Sequence, residues 1–433
     1  MSTEDVGRPV VPSTPALGTE ARPFRKGRWV GAYLAFWIIM SIGFAMVQQV
    51  LLPQRIKDLQ AENPAAVLGL MTSVGSIVAL VANILVGALS DRTRSRFGRR
   101  TPWLFWGGWI TFALYVLMGT VGVIAAIVVV LWLSKLGFNM MNSPVYSSVS
   151  DRVPQEFRGT ISSAIGFGNM LGYAIGALIG AYFINSIRLG FVLAAFCMLA
   201  SALLFLGILP REPPSKVAPV ANAAWIENEG RTTWQHIVYS FTPPLHAPDF
   251  WKAFACRTLL LLAIQMVAGY WLYLCQDYIG LGREEAAGLV STIAVLQMFA
   301  AVGAIIVGPL SDRLRRRKPM VVGAAALTAI GLVFPWAMRS VTGIIIAAIL
   351  IALATGIFMA IDQALNVDVL PSKEHAERDL GFINAATTAG QAGGMALTSA
   401  VVTATGGYTL VFPVAIAMAI GSAVFVLLIT SVR

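Results

Sequence analysis

The sequence predicts an all-α polytopic membrane protein whose twelve transmembrane helices form two pseudo-symmetric bundles of six. Of its 433 residues, 57% are apolar and 12% are charged, whereas an ordinary soluble domain carries about 25% charged residues. The apolar residues fall into twelve runs, each long enough to cross a bilayer. Charged motifs after the second and fourth runs recur after the eighth and tenth. The composition excludes a soluble enzyme, and the recurrence predicts two related halves.

The apolar runs give the order of the predicted helices. They cover residues 29–52, 66–90, 102–121, 122–149, 159–184, 188–209, 252–279, 285–311, 319–338, 342–369, 380–405 and 408–431. We expect an N-terminal bundle in 29–209 and a C-terminal bundle in 252–433. Residues 1–28, rich in Pro, Gly, Ser and Thr, are expected to form a disordered cytoplasmic tail. Residues 210–251 are expected to form a cytoplasmic loop between the bundles, with an interfacial helix at 225–241.

Lysine and arginine are distributed unequally between the two sides of this predicted bundle. With both termini on one side, that side holds 24 of these residues and the other side holds five. The positive-inside rule then predicts that both termini lie in the cytoplasm, and we expect a multi-pass protein of the plasma membrane. The net charge of +10 comes mainly from these loops. Because the charges do not lie along one face, no nucleic-acid partner is expected.

Two charged motifs occur in both predicted halves in the same order. One follows helices two and eight at an offset of 221 residues, and the other follows helices four and ten. Their acids can accept hydrogen bonds from basic side chains or helix N-termini across a helix interface. The expected gate residues on the cytoplasmic side are Gly87, Asp91, Arg92, Gly98, Arg99, Arg100, Asp151, Arg158, Asp312, Arg313, Asp368 and Arg378. The alternative is that the arginines serve only as topology anchors.

Residues 87–100 resemble the loop signature of the major facilitator superfamily. The form of this loop, with residues 168–173, 381–384 and Gln391, is most similar to the sucrose-transporter and glycoside-pentoside-hexuronide branches. The resemblance implies two six-helix bundles that import sugars or glycosides, coupled to protons or sodium. It also implies an acid where this chain has Asn142, which argues against sodium coupling there. Close packing of helix five is predicted by Gly168, Gly172, Gly176 and Gly180.

Asp362 is the one acid of the sequence that lies within a predicted helix away from both of its ends. It lies about 9 Å inside the cytoplasmic edge, and Arg257 of helix seven lies at a similar depth. An ionisable group inside the membrane indicates function by default. Protonation of Asp362 would release Arg257, which predicts proton coupling through this pair. The alternative is a permanent structural ion pair.

A stripe of polar residues on helix four predicts a substrate cavity. Lys135, Asn139 and Asn142 share one helix face because of their spacing. Amides with aromatic faces are suited to hydroxyl-rich solutes, and a lysine attracts a carboxylate or phosphate. Lys135 can instead extend to the outer interface, and the aromatic residues can serve packing alone. The remaining cavity candidates are Gln48, Gln49, Gln265, Tyr270, Trp271 and Asn366.

Enzyme chemistry has little support in the sequence. The three histidines, at positions 236, 246 and 375, lie in predicted loops without metal-ligand spacing, and no nucleotide fingerprint is present. We therefore expect a monomeric secondary transporter of a small polar organic solute, a sugar or glycoside, with protons as the coupling ion and no cofactor or metal. The alternatives are an efflux transporter of drugs or metabolites and a membrane sensor that transports nothing.

Overall fold

The computed structural model of the protein describes residues 25–212, 247–301, 303–304, 317–368 and 376–429, without the side chains of 363–368, 376–381, 383 and 384. These residues form twelve long helices and no β-strand. The helices are α1 Lys26–Ala45, α2 Pro64–Arg92, α3 Thr101–Thr120, α4 Ile124–Arg152, α5 Arg158–Tyr182, α6 Ile187–Ile208, α7 Pro248–Ala268, α8 Arg283–Leu296, α9 Lys318–Met338, α10 Val341–Asp368, α11 Ala376–Thr405 and α12 Val411–Leu427. Each helix begins within four residues of its predicted start. The prediction of twelve helices is confirmed.

The chain is a multi-pass membrane protein. Among the described residues, ten helices are long and apolar enough to cross a membrane, and α12 is a shorter apolar helix. Large apolar side chains such as Leu70, Ile77, Trp106 and Phe196 are exposed on these helices, as expected of side chains that face lipid. The predicted interfacial helix at 225–241 lies outside the described residues.

The first helix extends past its predicted end at residue 52. It continues as a π-helical segment, Met46–Leu51, and then as the α-helical turns Leu52–Asp58. Pro53 lacks an amide hydrogen and cannot complete the regular α-helical hydrogen-bond ladder. In the wider turn before it, the amide of Leu52 bonds to the carbonyl of Val47, five residues back. Such wide turns occur frequently at functional sites.

The seventh helix is interrupted, whereas the sequence predicts one helix over 252–279. After Ala268 the chain turns at Gly269 and Tyr270, resumes for one turn, and ends in a π-helical segment, Leu274–Ile279. A π-helical segment therefore occurs near the end of both the first and the seventh helix. Hydropathy shows that a stretch is apolar, but it does not show which backbone amides and carbonyls are hydrogen-bonded to each other.

The two halves, α1–α6 and α7–α12, repeat the same helix packing. Within the first half α1 packs on α5 and α6, α3 packs on α4 and α6, and α2 packs on α4. The same pairs occur six helices later: α7 packs on α11 and α12, α9 on α10 and α12, and α8 on α10. The halves meet through α2 with α11 and through α5 with α8, which are again equivalent pairs. The predicted pseudo-symmetry is confirmed.

Glycines bring the helices of each half into close contact. Where Gly172 and Gly176 of α5 would carry a Cβ atom, the backbone carbonyls of Ile38 and Ile42 of α1 occupy the space. Gly394 of α11 meets a backbone carbonyl of α7 in the same way. The glycine stripe thus serves helix packing, as the sequence predicts.

Candidate functional site

A cavity with a volume of about 850 Å³ lies between the two halves. Helices α1, α2, α4 and α5 line it from the first half, and α7, α8, α10 and α11 line it from the second. Its volume lies in the range of pockets that bind small molecules, about 300–1,000 Å³. Seven of the predicted cavity residues line it: Gln48, Gln49, Lys135, Asn139, Asn142, Gln265 and Trp271.

Lys135 lies in the wall of this cavity between α1, α2 and α4. Its Nζ lies 4.8 Å from the ring centroid of Phe44. Its stem passes Gly75 of α2, where an added Cβ would lie 3.8 Å from the Lys135 Cε. Phe44 packs in turn on Phe138 and Tyr173, with ring centroids 4.9 and 6.2 Å apart. The ammonium therefore lies beside a cluster of aromatic rings that also line the cavity.

The two asparagines of the α4 stripe differ in their hydrogen bonds. The Asn139 Nδ2 donates to the backbone carbonyl of Lys135 at 2.8 Å, and its Oδ1 accepts from Asn83 Nδ2 of α2 at 3.2 Å. The Asn139 amide is therefore occupied by one hydrogen bond within α4 and one that joins α4 to α2. The buried Oδ1 of Asn142 has no hydrogen-bond partner among the described residues. Of the two amides, Asn142 is the one whose acceptor no described group satisfies.

Of the other two predicted cavity residues, Tyr270 is described and does not line the cavity. Tyr270 is 1% exposed, and its hydroxyl donates to the carbonyls of Ala65 at 3.1 Å and Met395 at 3.0 Å. It joins the two halves, because helix packing at the chain turn after α7 directs the ring away from the cavity. The side chain of Asn366 lies outside the described residues. Cavity-lining residues that the predicted set omits include Asn83, Asn169, Gln297, Thr355, Thr388 and Gln391.

Polar contacts join the halves at the end of the bundle where α1 ends and α8 begins, which we name the opposite end. The Lys57 ammonium pairs with Asp277, and Arg283 Nη2 lies 2.9 Å from Asp58 Oδ2. Each pair has one partner from each half. The contacts therefore close the opposite end above the cavity.

Uncharged groups strengthen this closure. The Gln276 Nε2 donates to Gln54 Oε1 at 2.8 Å, and the Tyr273 hydroxyl donates to the Pro53 carbonyl at 2.9 Å. Gln54 and Tyr273 are almost fully buried. The sequence interpretation assigned no role to the opposite end, although the charges at 57, 58, 277 and 283 are its visible signal.

Arg257 and Asp362 meet inside the second half. The Arg257 Nη1 lies 2.8 Å from Asp362 Oδ2, and the two side chains are 7% and 4% exposed. The Arg257 Nε also donates to the Thr387 Oγ1 at 3.0 Å. This cluster connects α7, α10 and α11. Neither charged residue lines the cavity.

The charged motif of the first half forms a cluster at the other end of the bundle, which we name the arginine-rich end. Arg99 and Arg100 both pair with the carboxylate of Asp151, and Arg100 Nη2 lies 3.3 Å from Asp91 Oδ1. Burial lowers the pKa of the Arg100 guanidinium, and the neighbouring carboxylates of Asp151 and Asp91 act in the opposite direction. The cluster ties the ends of α2 and α4 to the start of α3.

The other predicted gate residues differ in what they contact. Arg158 donates to the backbone carbonyls of Ser150 at 2.6 Å and Val153 at 3.2 Å, and so stabilises the turn between α4 and α5. Gly87 lies beside Ser143 of α4, and Arg92 is exposed at the end of α2. Of the motifs in the second half, Asp312 and Arg313 lie outside the described residues, as do the side chains of Asp368 and Arg378.

Glu212, which the sequence interpretation did not select, joins this cluster from the chain after α6. Its Oε2 accepts from the backbone amides of Arg100 at 2.9 Å and Thr101 at 3.3 Å. It thereby caps the N-terminus of α3 with a negative charge. Gly98 adopts φ +93°, and an added Cβ would overlap the Glu212 side chain. Glycine is needed there for both reasons.

The comparisons with known proteins agree with this arrangement. The family model described as Major Facilitator Superfamily matches residues 28–337 and 282–433. The chain belongs to the major facilitator superfamily. A solved member, a bacterial homologue of the human lysosomal transporter Spinster in an inward-facing and occupied conformation, superimposes with a TM-score of 0.69. It is 14% identical, with 95% of this chain and 98% of that chain covered, so it supports the fold alone.

Two curated proteins match this chain over short stretches. An uncharacterised symporter of Synechocystis is 50% identical over 52 residues, which are 12% of this chain and 9% of the relative. The general alpha-glucoside permease of Schizosaccharomyces pombe is 31% identical over 155 residues, which are 31% of this chain and 28% of the relative. The chain thus matches less than a third of either relative's length.

Proposed function

We propose that this protein is a secondary active transporter that moves a small polar organic solute, a sugar or glycoside, across the plasma membrane by alternating access in symport with protons. The observation that carries the proposal is the cavity between two halves of equivalent packing, closed at the opposite end by contacts between the halves. We take the arginine-rich end as cytoplasmic, because 24 lysines and arginines are expected on that side and five on the other.

Alternating access requires contacts that form in one state and break in the other. The pairs Lys57 with Asp277 and Arg283 with Asp58 suit this need, since each joins the two halves and is partly exposed to solvent. Exposed ion pairs contribute little net stability, about 0–1 kcal/mol each. Their separation therefore costs little, and the closed and open states can have similar free energies.

The cavity lining supports a hydroxyl-rich solute. Amide side chains both donate and accept hydrogen bonds, and the lining contains Gln48, Gln49, Gln265, Gln297 and Gln391. The consecutive Gln48 and Gln49 both lie in the π-helical segment and both line the cavity. Aromatic rings in the same wall provide faces for the apolar side of a sugar ring. The names of the two curated relatives, a symporter and an alpha-glucoside permease, agree with sugar symport.

Proton coupling is proposed at Asp362 because its ion pair connects three helices that line the cavity. Arg257 and the lining residue Gln265 lie on α7, and Asp362 and the lining residue Thr355 lie on α10. Thr387, which accepts from Arg257, is adjacent on α11 to the lining residue Thr388. A change of charge at Asp362 can therefore shift these helices and so alter the wall of the cavity.

The energetics make Asp362 a suitable coupling group. When the carboxylate of a buried ion pair becomes neutral, the cation loses its counter-charge, at a cost of about 3–5 kcal/mol. A rearrangement of α7, α10 and α11 that hydrates or re-pairs Arg257 then becomes favourable. Because neither member of the pair lines the cavity, the proton and the solute occupy separate sites and act on each other through the helices.

The proposal is tested by uptake of labelled sugars into proteoliposomes, with and without an imposed proton gradient. The wild-type protein is expected to accumulate its sugar above the external concentration only with the gradient. Asp362→Asn is expected to equilibrate the sugar without accumulating it, whereas the matched control Glu62→Gln, an exposed acid outside the helices, should accumulate normally. Accumulation that survives Asp362→Asn would overturn the coupling, and binding of sugars without movement would identify a sensor.

A further inference from the structure

We propose that Lys135 is the counter-ion of the transported solute, so that the preferred substrates are small hydroxylated organic acids carrying one carboxylate. This inference rests on the proposed function, because it assigns the solute class to the same cavity. The observation behind it is the charge of the cavity wall. Among the described residues that line the cavity, Lys135 is the one with a charged side chain, and none is an acid.

The position of Lys135 argues for a ligand role and against extension to the outer interface. Lys135 lies eleven residues into α4, which places its backbone about 16 Å from the opposite end of that helix. Its ammonium contacts the Phe44 ring within the cavity wall. The cross-half contacts at the opposite end close the space above the cavity. The side chain is therefore directed into the cavity and away from the outer surface.

A cation in this position is costly until an anion joins it. Ionisable groups within a bilayer are expensive and are normally paired with a group of opposite charge. No described salt bridge involves Lys135. Its contact with the face of Phe44 supplies part of the compensation. A carboxylate on the solute would supply the rest, and the binding energy would come from charge neutralisation in a site of low dielectric.

Other residues that line the cavity define the rest of the solute. Asn142 and Trp271 line the cavity, and the buried Oδ1 of Asn142 and Nε1 of Trp271 have no hydrogen-bond partner among the described residues. Trp271 is 3% exposed and belongs to the second half. One group accepts and the other donates, as solute hydroxyls require. The rings of Phe44, Phe138 and Tyr173 favour an apolar ring face beside the carboxylate.

Matched ligands test the inference without any variant. Glucuronate, its neutral methyl ester and glucose differ in the group that Lys135 would contact. Their affinities for the purified full-length protein are therefore compared. We expect glucuronate to bind about ten- to a hundredfold more tightly than the ester or glucose, the range for a hydrogen bond to a charged group. Equal affinities for the acid and the ester would overturn the inference. Tighter binding of glucose 6-phosphate would overturn the assignment to a carboxylate.

Variants then assign the effect to Lys135. Lys135→Gln should weaken glucuronate binding about ten- to a hundredfold and so remove the preference for the acid over glucose, and thermal unfolding of the purified variant checks that it is folded. Lys135→Arg should retain most of the preference, and Lys26→Gln, which removes an exposed lysine outside the cavity, should retain all of it. Unchanged glucuronate affinity in Lys135→Gln would overturn the inference.

The inference and the proposed function can fail separately. Uptake of glucose with no preference for the acid would leave transport intact and overturn the role of Lys135. Binding of glucuronate that depends on Lys135, without movement into proteoliposomes, would support the role of Lys135 and overturn transport.

Discussion

Arg257 of α7 and Asp362 of α10 form an ion pair inside the second half, with 2.8 Å between Nη1 and Oδ2. Both side chains are buried, so the charge of each is compensated mainly by protein groups. Such a pair stabilises a fold only while both members are charged, because removal of one leaves a buried charge. The Arg257 and Asp362 side chains therefore join α7 to α10 through opposite charges.

The first prediction concerns the stability of this pair. Arg257→Gln removes the cation that faces Asp362 and is expected to lower the free energy of unfolding by about 3–5 kcal/mol. The double variant Arg257→Gln with Asp362→Asn replaces both charges by amides and is expected to recover most of that loss. Thermal unfolding of the purified proteins in detergent measures both effects. A double variant as unstable as Arg257→Gln would contradict the prediction.

The same double variant separates coupling from a purely structural role. If Asp362 carries the proton, the stable double variant should equilibrate solute down its gradient without accumulating it under a proton gradient. A structural pair would leave accumulation intact once stability is restored. Uptake by the double variant and the wild type, at matched protein content in the proteoliposomes, gives the answer.

A second prediction concerns the closure of the opposite end. The Gln54 and Gln276 side chains bond at 2.8 Å across the halves, so cysteines at these positions should be joined by a short reducible cross-linker. The cross-link is expected to stop transport, and reduction should restore it, because alternating access requires this contact to break. Each single cysteine variant is the control for the native Cys197, Cys256 and Cys275. Full transport by the cross-linked protein would count against this contact as a gate.

A third prediction compares two glycines of α5. Gly172→Ala places a methyl group where the Ile38 carbonyl lies, 2.8 Å from the Ser41 Cβ, and should destabilise the packing of α5 on α1. Gly166→Ala on the same helix meets nothing within 4 Å and should stabilise the helix by up to about 1 kcal/mol. The melting temperatures should therefore move in opposite directions. A Gly172→Ala protein as stable as the wild type would show that α1 and α5 can separate without cost.

A fourth prediction concerns the cap of α3. Glu212→Ala removes the carboxylate that accepts from the amides of Arg100 and Thr101, and loss of a helix cap costs about 0.5–2 kcal/mol. The matched control is Glu156→Ala, which removes an exposed acid from the turn before α5. Thermal unfolding should distinguish the two variants. Equal melting temperatures would indicate that Glu212 does not stabilise the arginine-rich end.

Much of the candidate site was accessible from the sequence, because charge and polarity inside an apolar helix are rare. Lys135, Asn142 and Gln265 were selected for that reason, and all three line the cavity. Tyr270 was selected as an aromatic face for a sugar ring and lies instead at the contact between the halves. A tyrosine side chain has a polar hydroxyl and a large apolar ring, and the sequence does not tell which of the two makes its contacts. Its role depends on the path of the chain after α7.

The closure at the opposite end and the cap by Glu212 could not be predicted from residue type. Lys57 and Asp277 lie 220 residues apart, and Glu212 lies 112 residues from Arg100. Charged residues in loops are ordinary in a membrane protein, so nothing marks these as partners before the helices are packed. The contact of Lys57 with Asp277 exists because the segments that follow α1 and α7 meet between the halves, and the Glu212 contact exists because the chain after α6 passes the start of α3.

The sequence by itself determined the twelve helices, their starts and the division into two equivalent halves, because burial in lipid requires long apolar helices and gene duplication leaves matched motifs. It also selected Arg257 and Asp362, since charge within a bilayer is costly enough to be conspicuous. Only the tertiary structure decided the geometry of the Arg257 and Asp362 pair that the sequence predicts, that Lys135 faces a cavity without an acid among its described lining residues, and which end is closed by ion pairs between the halves. Those outcomes depend on distances between helices, which cannot be derived from the pattern of residues along a single helix.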